Sequence, residues 1–186
     1  MNGEAQQAER AADAWLVVAA QTGDRRAIER LVARWHRRLV AHGWRLTGDR
    51  ALAEEAVQAA WIDIMRGIGA LRDERAFPAW AYRIVTRKTA AAIGDRVAGR
   101  ALATALEDAP VPAPPTPEDA ADGITLRRAV AALPPGHRAA VALHYFEGLS
   151  IAETAVALGI PAGTVKTRLM HARARLRTQL EGESHA

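Results

Sequence analysis

The chain contains no cysteine. Disulfides, thiol catalysis and cysteine-held zinc or iron–sulfur centres are therefore excluded, and a reducing cytoplasm is the expected location. No apolar run approaches the roughly 20 residues that a membrane-spanning helix needs, so no membrane insertion is expected. The stretch Met1–Arg10 is polar and carries Glu4 and Glu9, which is not the character of a secretory signal. Lysine is scarce. Lys88 and Lys166 are the only two, and every other basic side chain is arginine. Arginine suits phosphate recognition, but a GC-rich genome produces the same bias.

What is present is ordinary globular material. The 186 residues are 49% apolar and 25% charged, room for one domain or two small ones. The 25 basic side chains outnumber 21 acidic ones, for a net +4, but the excess is uneven. Residues 1–98 carry +4, residues 99–123 carry −4, and residues 124–180 carry +6. A concentrated positive field in the last third suits an anionic partner, most simply nucleic acid. The acidic segment holds Pro110, Pro112, Pro114, Pro115 and Pro117. Proline removes backbone donors and fixes φ, so 99–123 reads as a flexible, extended linker between two helical units. The expected architecture is all-α: two small helical domains, 1–98 and 124–186, on that linker.

In the first unit, Ile28, Leu31, Val32, Trp35 and Leu39 recur at helical spacing. After Gly48 and Asp49, a second apolar stripe runs through Ala53, Ala56, Val57, Ala60, Trp61, Ile64, Met65 and Ile68. Its opposite face shows Glu54, Glu55, Gln58 and Asp63: a solvated face, or a dock for a basic protein. A third helix carries Phe77, Trp80, Ala81, Ile84 and Val85 on one side and Arg83, Arg87 and Lys88 on the other. Trp35 and Trp61 read as core of a three-helix bundle. Trp80 and Tyr82 stay open between core and a platform for unpaired bases, because interleaved aromatic and basic groups can stack on bases while holding phosphates.

The second unit is more specific. Ile124–Leu133 reads as a helix stopped by Pro134 and Pro135, and Gly136–Phe146 as another ended by Gly148. Ser150 and Glu153 make a capping box at the start of a short helix. Gly159 permits the reversal and Pro161 favours the next helix start. These are the parts of a helix-turn-helix. At about 100° per residue, Val165, Leu169, Ala172 and Leu176 of the second helix face inward. Lys166, Thr167, Met170, His171 and Ala174 then face outward, flanked by Arg168 and Arg175 on one side and Arg173 and Arg177 on the other. Such a helix can enter a major groove, with base edges meeting the outward side chains and phosphates meeting the arginines. Lys166 suits guanine acceptors, Thr167 either role, and Met170 a thymine methyl.

These motifs resemble the sigma-70 family of transcription initiation factors, in its extracytoplasmic-function (ECF) group. Leu149-Ser-Ile-Ala-Glu, Gly163-Thr-Val-Lys-Thr-Arg-Leu169 and Ala172-Arg-Ala-Arg-Leu176 are similar to that family's region 4. Gly48-Asp-Arg-Ala-Leu-Ala-Glu-Glu-Ala-Val-Gln58 and Phe77-Pro-Ala-Trp-Ala-Tyr-Arg-Ile84 are similar to its region 2. The resemblance implies a non-enzymatic subunit, without cofactor, that directs core RNA polymerase to promoters. Region 4 would pack on the β-subunit flap and read the −35 element through Lys166, Thr167, Arg168, Met170, His171, Arg173 and Arg175. Region 2 would dock on the β′ clamp through Glu54, Glu55 and Gln58. It would read and melt the −10 element with Trp80, Arg83, Arg87 and Lys88. An anti-sigma protein is an expected partner. In 85–96 the chain departs from the family pattern: Arg87, Ala91 and Gly94 stand where asparagine, aspartate and arginine are expected, which weakens phosphate contacts there.

Enzyme readings find little support. Gly94 and Gly99 have phosphate-loop spacing but no following lysine. The histidines lack clustered carboxylate partners for a metal, and adjacent Glu54 and Glu55 diverge around a helix. Two rivals stand beside the promoter-directing subunit: a sigma-like decoy that binds a regulator or the polymerase without opening DNA, and a stand-alone helix-turn-helix regulator.

Overall fold

A computed structural model describes residues 2–106 and 121–183, with side chains over 7–98 and 126–180. Every regular element among the described residues is helical. The first unit comprises α1 (Asn2–Gln21), α2 (Arg25–Thr47), α3 (Arg50–Gly67) and the start of α4 (Phe77–Leu106). The second comprises α5 (Ala121–Ala131), α6 (Pro135–Val141), α7 (Ile151–Leu158) and α8 (Ala162–Glu183).

Local chemistry sets the boundaries. Asp24 and Asp49 cap α2 and α3, each carboxylate accepting from backbone N–H groups of the first turn. Gly48, at φ +70°, ends α2 in the left-handed conformation that glycine adopts without a Cβ clash. The Trp35, Trp61, Leu31, Leu39 and Val57 side chains fill the core as their spacing predicts.

The bundle has four helices rather than three. α1 adds Leu16, Val17 and Ala20 to the core, and its buried Asp13 pairs with Arg34 at 2.9 Å. Gln21 donates to the carbonyls of Ile68 and Leu71 at 2.9 and 2.8 Å, tying α1 to the loop between α3 and α4.

Two further boundaries differ from expectation. α4 continues to Leu106 and α5 begins at Ala121, so both ends of the stretch read as extended are helical; residues 107–120 of that linker lie outside the described residues. The predicted helix 136–146 is two pieces, α6 and a π-helical turn over Ala142–Phe146.

The second unit has its own core of Val130, Leu133, Ala140, Val141, Val165, Leu169 and Ala172. It also packs on the first unit. α7 lies on α4 and the π turn on α2, and Leu143, Leu149 and Ala157 are continuous with the larger core. Glu147 seals the junction: it accepts a hydrogen bond from the Tyr82 hydroxyl and pairs with Arg45 at 2.6 Å. The Arg45 guanidinium also lies 4.7 Å from the Phe146 ring centre, a cation–π distance.

Candidate nucleic-acid interface

The helix-turn-helix is assembled as its residues demand. Ser150 and Glu153 make both bonds of the capping box, at 3.2 Å from the Glu153 N–H and 2.8 Å from the Ser150 N–H. Gly159 turns the chain at φ +65°, where a side chain would be strained. α8 then buries Val165, Leu169 and Ala172, the face sorted inward by angle. Lys166, Thr167 and His171 are exposed, and Met170 is 52% exposed, high for a large apolar side chain. Met170 thus lies beside Lys166 on the outward side of α8.

The individual side chains are less uniform than their angles suggest. The Thr167 hydroxyl donates back to the Gly163 carbonyl at 3.1 Å, which leaves its oxygen lone pairs for a donor. Arg168 is half-buried rather than free on the flank. Its guanidinium passes 3.0 Å from where a Cβ on residue 136 would stand, so glycine at 136 leaves it room. His171 stacks on His137 of α6, with ring centres 6.1 Å apart and planes 24° apart. Arg173 and Arg175 are exposed.

A second basic cluster sits between α3 and α4. A shallow cleft of about 420 Å³ is lined by Asp63, Arg66, Gly67, Trp80, Arg83, Ile84 and Arg87. It brings three of the four sequence-predicted groups, Trp80, Arg83 and Arg87, to one wall. The Trp80 indole packs 2.9 Å from where a Cβ on residue 67 would lie, so glycine there admits the ring. Lys88 points to Asp63 at 2.9 Å, and Arg87 reaches the same carboxylate at 3.6 Å. The Lys88 hydrogen bond, with the charges of Lys88, Arg87 and Arg66, holds the Asp63 carboxyl below its usual range despite its partial desolvation. Asp63 therefore belongs to this cluster and not to the open acidic face. Arg66, which helical spacing alone did not single out, completes it.

Of the two readings left open for Tyr82, the structure selects the core. It is fully buried, its ring edge-on to Trp35 and His42, so it cannot be a base-stacking platform. Burial and the neighbouring Glu147 carboxylate push its phenol well above the ordinary value.

On the opposite face of α3, Glu55 and Gln58 are exposed, while half-buried Glu54 pairs with Arg50 at 2.9 Å. Ile62 is 53% exposed one turn on from Gln58, an apolar centre to an acidic surface that the sequence reading did not include. No helix among the described residues is long and apolar enough to cross a membrane.

Comparison with known proteins agrees with this layout. The family profile described as Sigma-70 region 2 matches residues 31–97, and that described as Sigma-70, region 4 matches residues 124–176. The ECF RNA polymerase sigma factor SigM of Mycobacterium tuberculosis is 38% identical over 166 residues, covering 88% of this chain and 82% of its own. The ECF RNA polymerase sigma factor SigW of Bacillus subtilis is 31% identical, covering 85% and 91%. Among solved structures, CnrH in complex with the cytosolic domain of CnrY aligns with TM-score 0.69 at 24% identity, covering 92% of this chain and 98% of that one. RpoE in complex with the anti-sigma factor NepR from Bartonella quintana aligns with TM-score 0.69 at 21% identity, covering 83% and 96%. These two likenesses establish the shared all-α fold, and the closer sequence relatives establish the lineage: the chain belongs to the extracytoplasmic-function group of the sigma-70 family of RNA polymerase sigma factors.

Proposed function

We propose that this sigma factor loads onto core RNA polymerase and reads two promoter elements with the two surfaces described above. The observation that carries this reading is α8. Its capped helix-turn-helix holds Lys166, Thr167, Met170 and His171 outward on a rigid support, the arrangement that direct readout of a major groove needs. Arg168, Arg173 and Arg175 supply phosphate contacts beside the −35 element. Trp80, Arg83, Arg87 and Lys88 serve the −10 element, where an unstacked base needs an aromatic wall and the exposed strand needs cations. Arg66 joins them. Glu54, Glu55 and Gln58, with Ile62, form the face that docks on the β′ clamp, and the second unit meets the β flap. Nucleotide chemistry stays with the polymerase, so the chain contributes binding energy and no catalytic group. Its place of action is the cytoplasm, where the polymerase works. The complexes of CnrH with CnrY and RpoE with NepR support a regulator of the anti-sigma class as a further partner.

The packed arrangement sets a geometric condition. Arg83 lies beside the α7–α8 turn, 3.8 Å from where a Cβ on Gly159 would stand. Lys166 is seven residues beyond that turn, which spans at most about 25 Å of chain. Elements named for positions about 25 base pairs apart lie roughly 85 Å apart on B-DNA. Reading both at once therefore requires the units to separate about the segment that joins α4 to α5.

A photo-cross-linker placed at residue 170, and another at residue 83, tests this in the polymerase complex. Residue 170 is expected to mark upstream duplex and residue 83 the unpaired strand near the start site. Cross-links from both positions to one short segment would contradict the reading.

A further inference from the structure

The His137–His171 stack joins the recognition helix to a residue outside it. His137 lies in the first turn of α6, half-buried, and its ring is the surface on which the His171 imidazole rests. Arg168, His171 and Arg175 fall on one ridge of α8, spaced three and four residues apart. Arg168 is packed over Gly136, next to His137. Two imidazoles and two guanidinium groups thus converge at the edge of the outward face, and none of the four has an ion pair among the described residues.

We propose that His137 is a positioning residue for −35 recognition, fixing the imidazole of His171 against the DNA and itself taking up a proton as a phosphate docks. The proposal rests on the reading of α8 as the −35 helix. An exposed imidazole on a helix surface samples several rotamers, and ordering it costs free energy on binding. Stacking against a ring held by another helix removes part of that cost beforehand. Arg168, locked over Gly136, extends the same preformed surface.

The electrostatics follow from the neighbours. Burial, then the charges of Arg175, His171 and Arg168, holds the His137 pKa below the ordinary imidazole value of 6.5. α5, packed on α6 and α8, carries Arg127 and Arg128, both exposed. The carboxylates of the other neighbours are engaged elsewhere: Glu153 of α7 with Arg10 and the Ser150 cap, and Glu147, at the end of the π turn, with Arg45 and Tyr82. In the free chain a proton on His137 is opposed by its surroundings. A DNA phosphate among the same cations reverses the sign, so binding takes up a proton and tightens as pH falls. For one proton the dependence is at most about tenfold in affinity per pH unit.

The test uses full-length chain loaded on core polymerase and a fluorescent duplex from a promoter that this complex occupies. Affinity is measured across pH for that duplex and for versions with single −35 substitutions, with wild type, His137→Phe and His137→Ala. Wild type is expected to bind more tightly at lower pH and to discriminate among the −35 versions. His137→Phe keeps a ring under His171 but has no proton to gain, so discrimination stays and the pH dependence shrinks. His137→Ala loses both, with discrimination falling by about fivefold or more. Thermal unfolding of each variant shows that the fold is intact. If either folded variant keeps the full pH dependence, or His137→Ala keeps full discrimination, the proposal is overturned while −35 reading by α8 stands. If wild type itself ignores every −35 substitution, the reading of α8 fails and the proposal with it.

Discussion

The Tyr82 hydroxyl donates a hydrogen bond to the Glu147 carboxylate across the junction between the two helical units. Both groups are buried, and Arg45 completes the arrangement at 2.6 Å from the same carboxylate. Burial raises the Glu147 pKa above its usual value, while the Tyr82 hydrogen bond and the Arg45 and Arg38 charges offset part of the rise. A buried charge held this way tolerates loss of a partner poorly.

Tyr82→Phe should therefore loosen the junction. The ring still fills its site, but Glu147 loses a donor in a desolvated place, a cost of about 1–3 kcal/mol. The expected result is a lower midpoint in urea unfolding and a larger distance between dyes placed on α3 and α8 in the free chain. An unchanged midpoint and distance would show that this bond contributes nothing to the closed packing.

His42 should make the fold sensitive to acid. It is fully buried, with Nε2 2.9 Å from the Thr86 hydroxyl, and burial, followed by the Arg45 charge, lowers its pKa to about 3. The unfolded chain protonates near 6.5 and the folded chain does not. Stability is thus retained above 6.5 and lost as pH falls toward 3, by about 1.4 kcal/mol per pH unit for this group. Glu147 acts with the opposite sign. Its raised pKa favours the folded chain below 4.5, and that contribution fades as pH rises through the folded value. Glu147 contributes alike to both chains, so unfolding free energies measured between pH 7 and pH 5 should fall less steeply for His42→Gln than for wild type. Parallel slopes would remove His42 as the cause.

Reversing charge at Glu55, or placing Asp at exposed Ile62, should weaken association with core polymerase while leaving thermal unfolding nearly unchanged. Exposed positions of this kind alter stability by about 0.5 kcal/mol or less. Normal capture of core polymerase by both variants would take this face out of the docking account.

Lys166→Ala should reduce promoter use selectively. A side chain that reads a guanine edge contributes about 1–3 kcal/mol at the bases it touches and little elsewhere. Transcription should fall at promoters with particular −35 sequences, with core binding intact. An equal fall at every promoter would mark Lys166 as a phosphate contact.

Elements whose residues answer mainly to local chemistry were legible in the sequence. Ser150, Glu153 and Gly159 declare a helix start and a turn, and the inward ridge Val165–Leu169–Ala172 is buried as its spacing requires. α1 was hidden because its signals conflict: Trp15 and Val18 are 61% and 46% exposed while Asp13 is buried, so its apolar stripe is blurred. The fate of Tyr82 depends on Glu147, 65 residues away, and no local pattern carries such a pairing. His137 and Arg66 were missed for the same reason, since each gains its role from a different helix. The length of α4 escaped notice because the prolines from 110 onward and the acidic charge coloured the whole of 99–123 as extended, although its first residues, up to Leu106, carry no proline and continue the helix.

The most direct measurement is transcription with purified core polymerase on a genomic template library, with and without this chain. The account predicts RNA from a discrete set of new start sites that share an upstream sequence and vanish when that sequence is altered. A chain that binds the polymerase yet yields no selective RNA would contradict it.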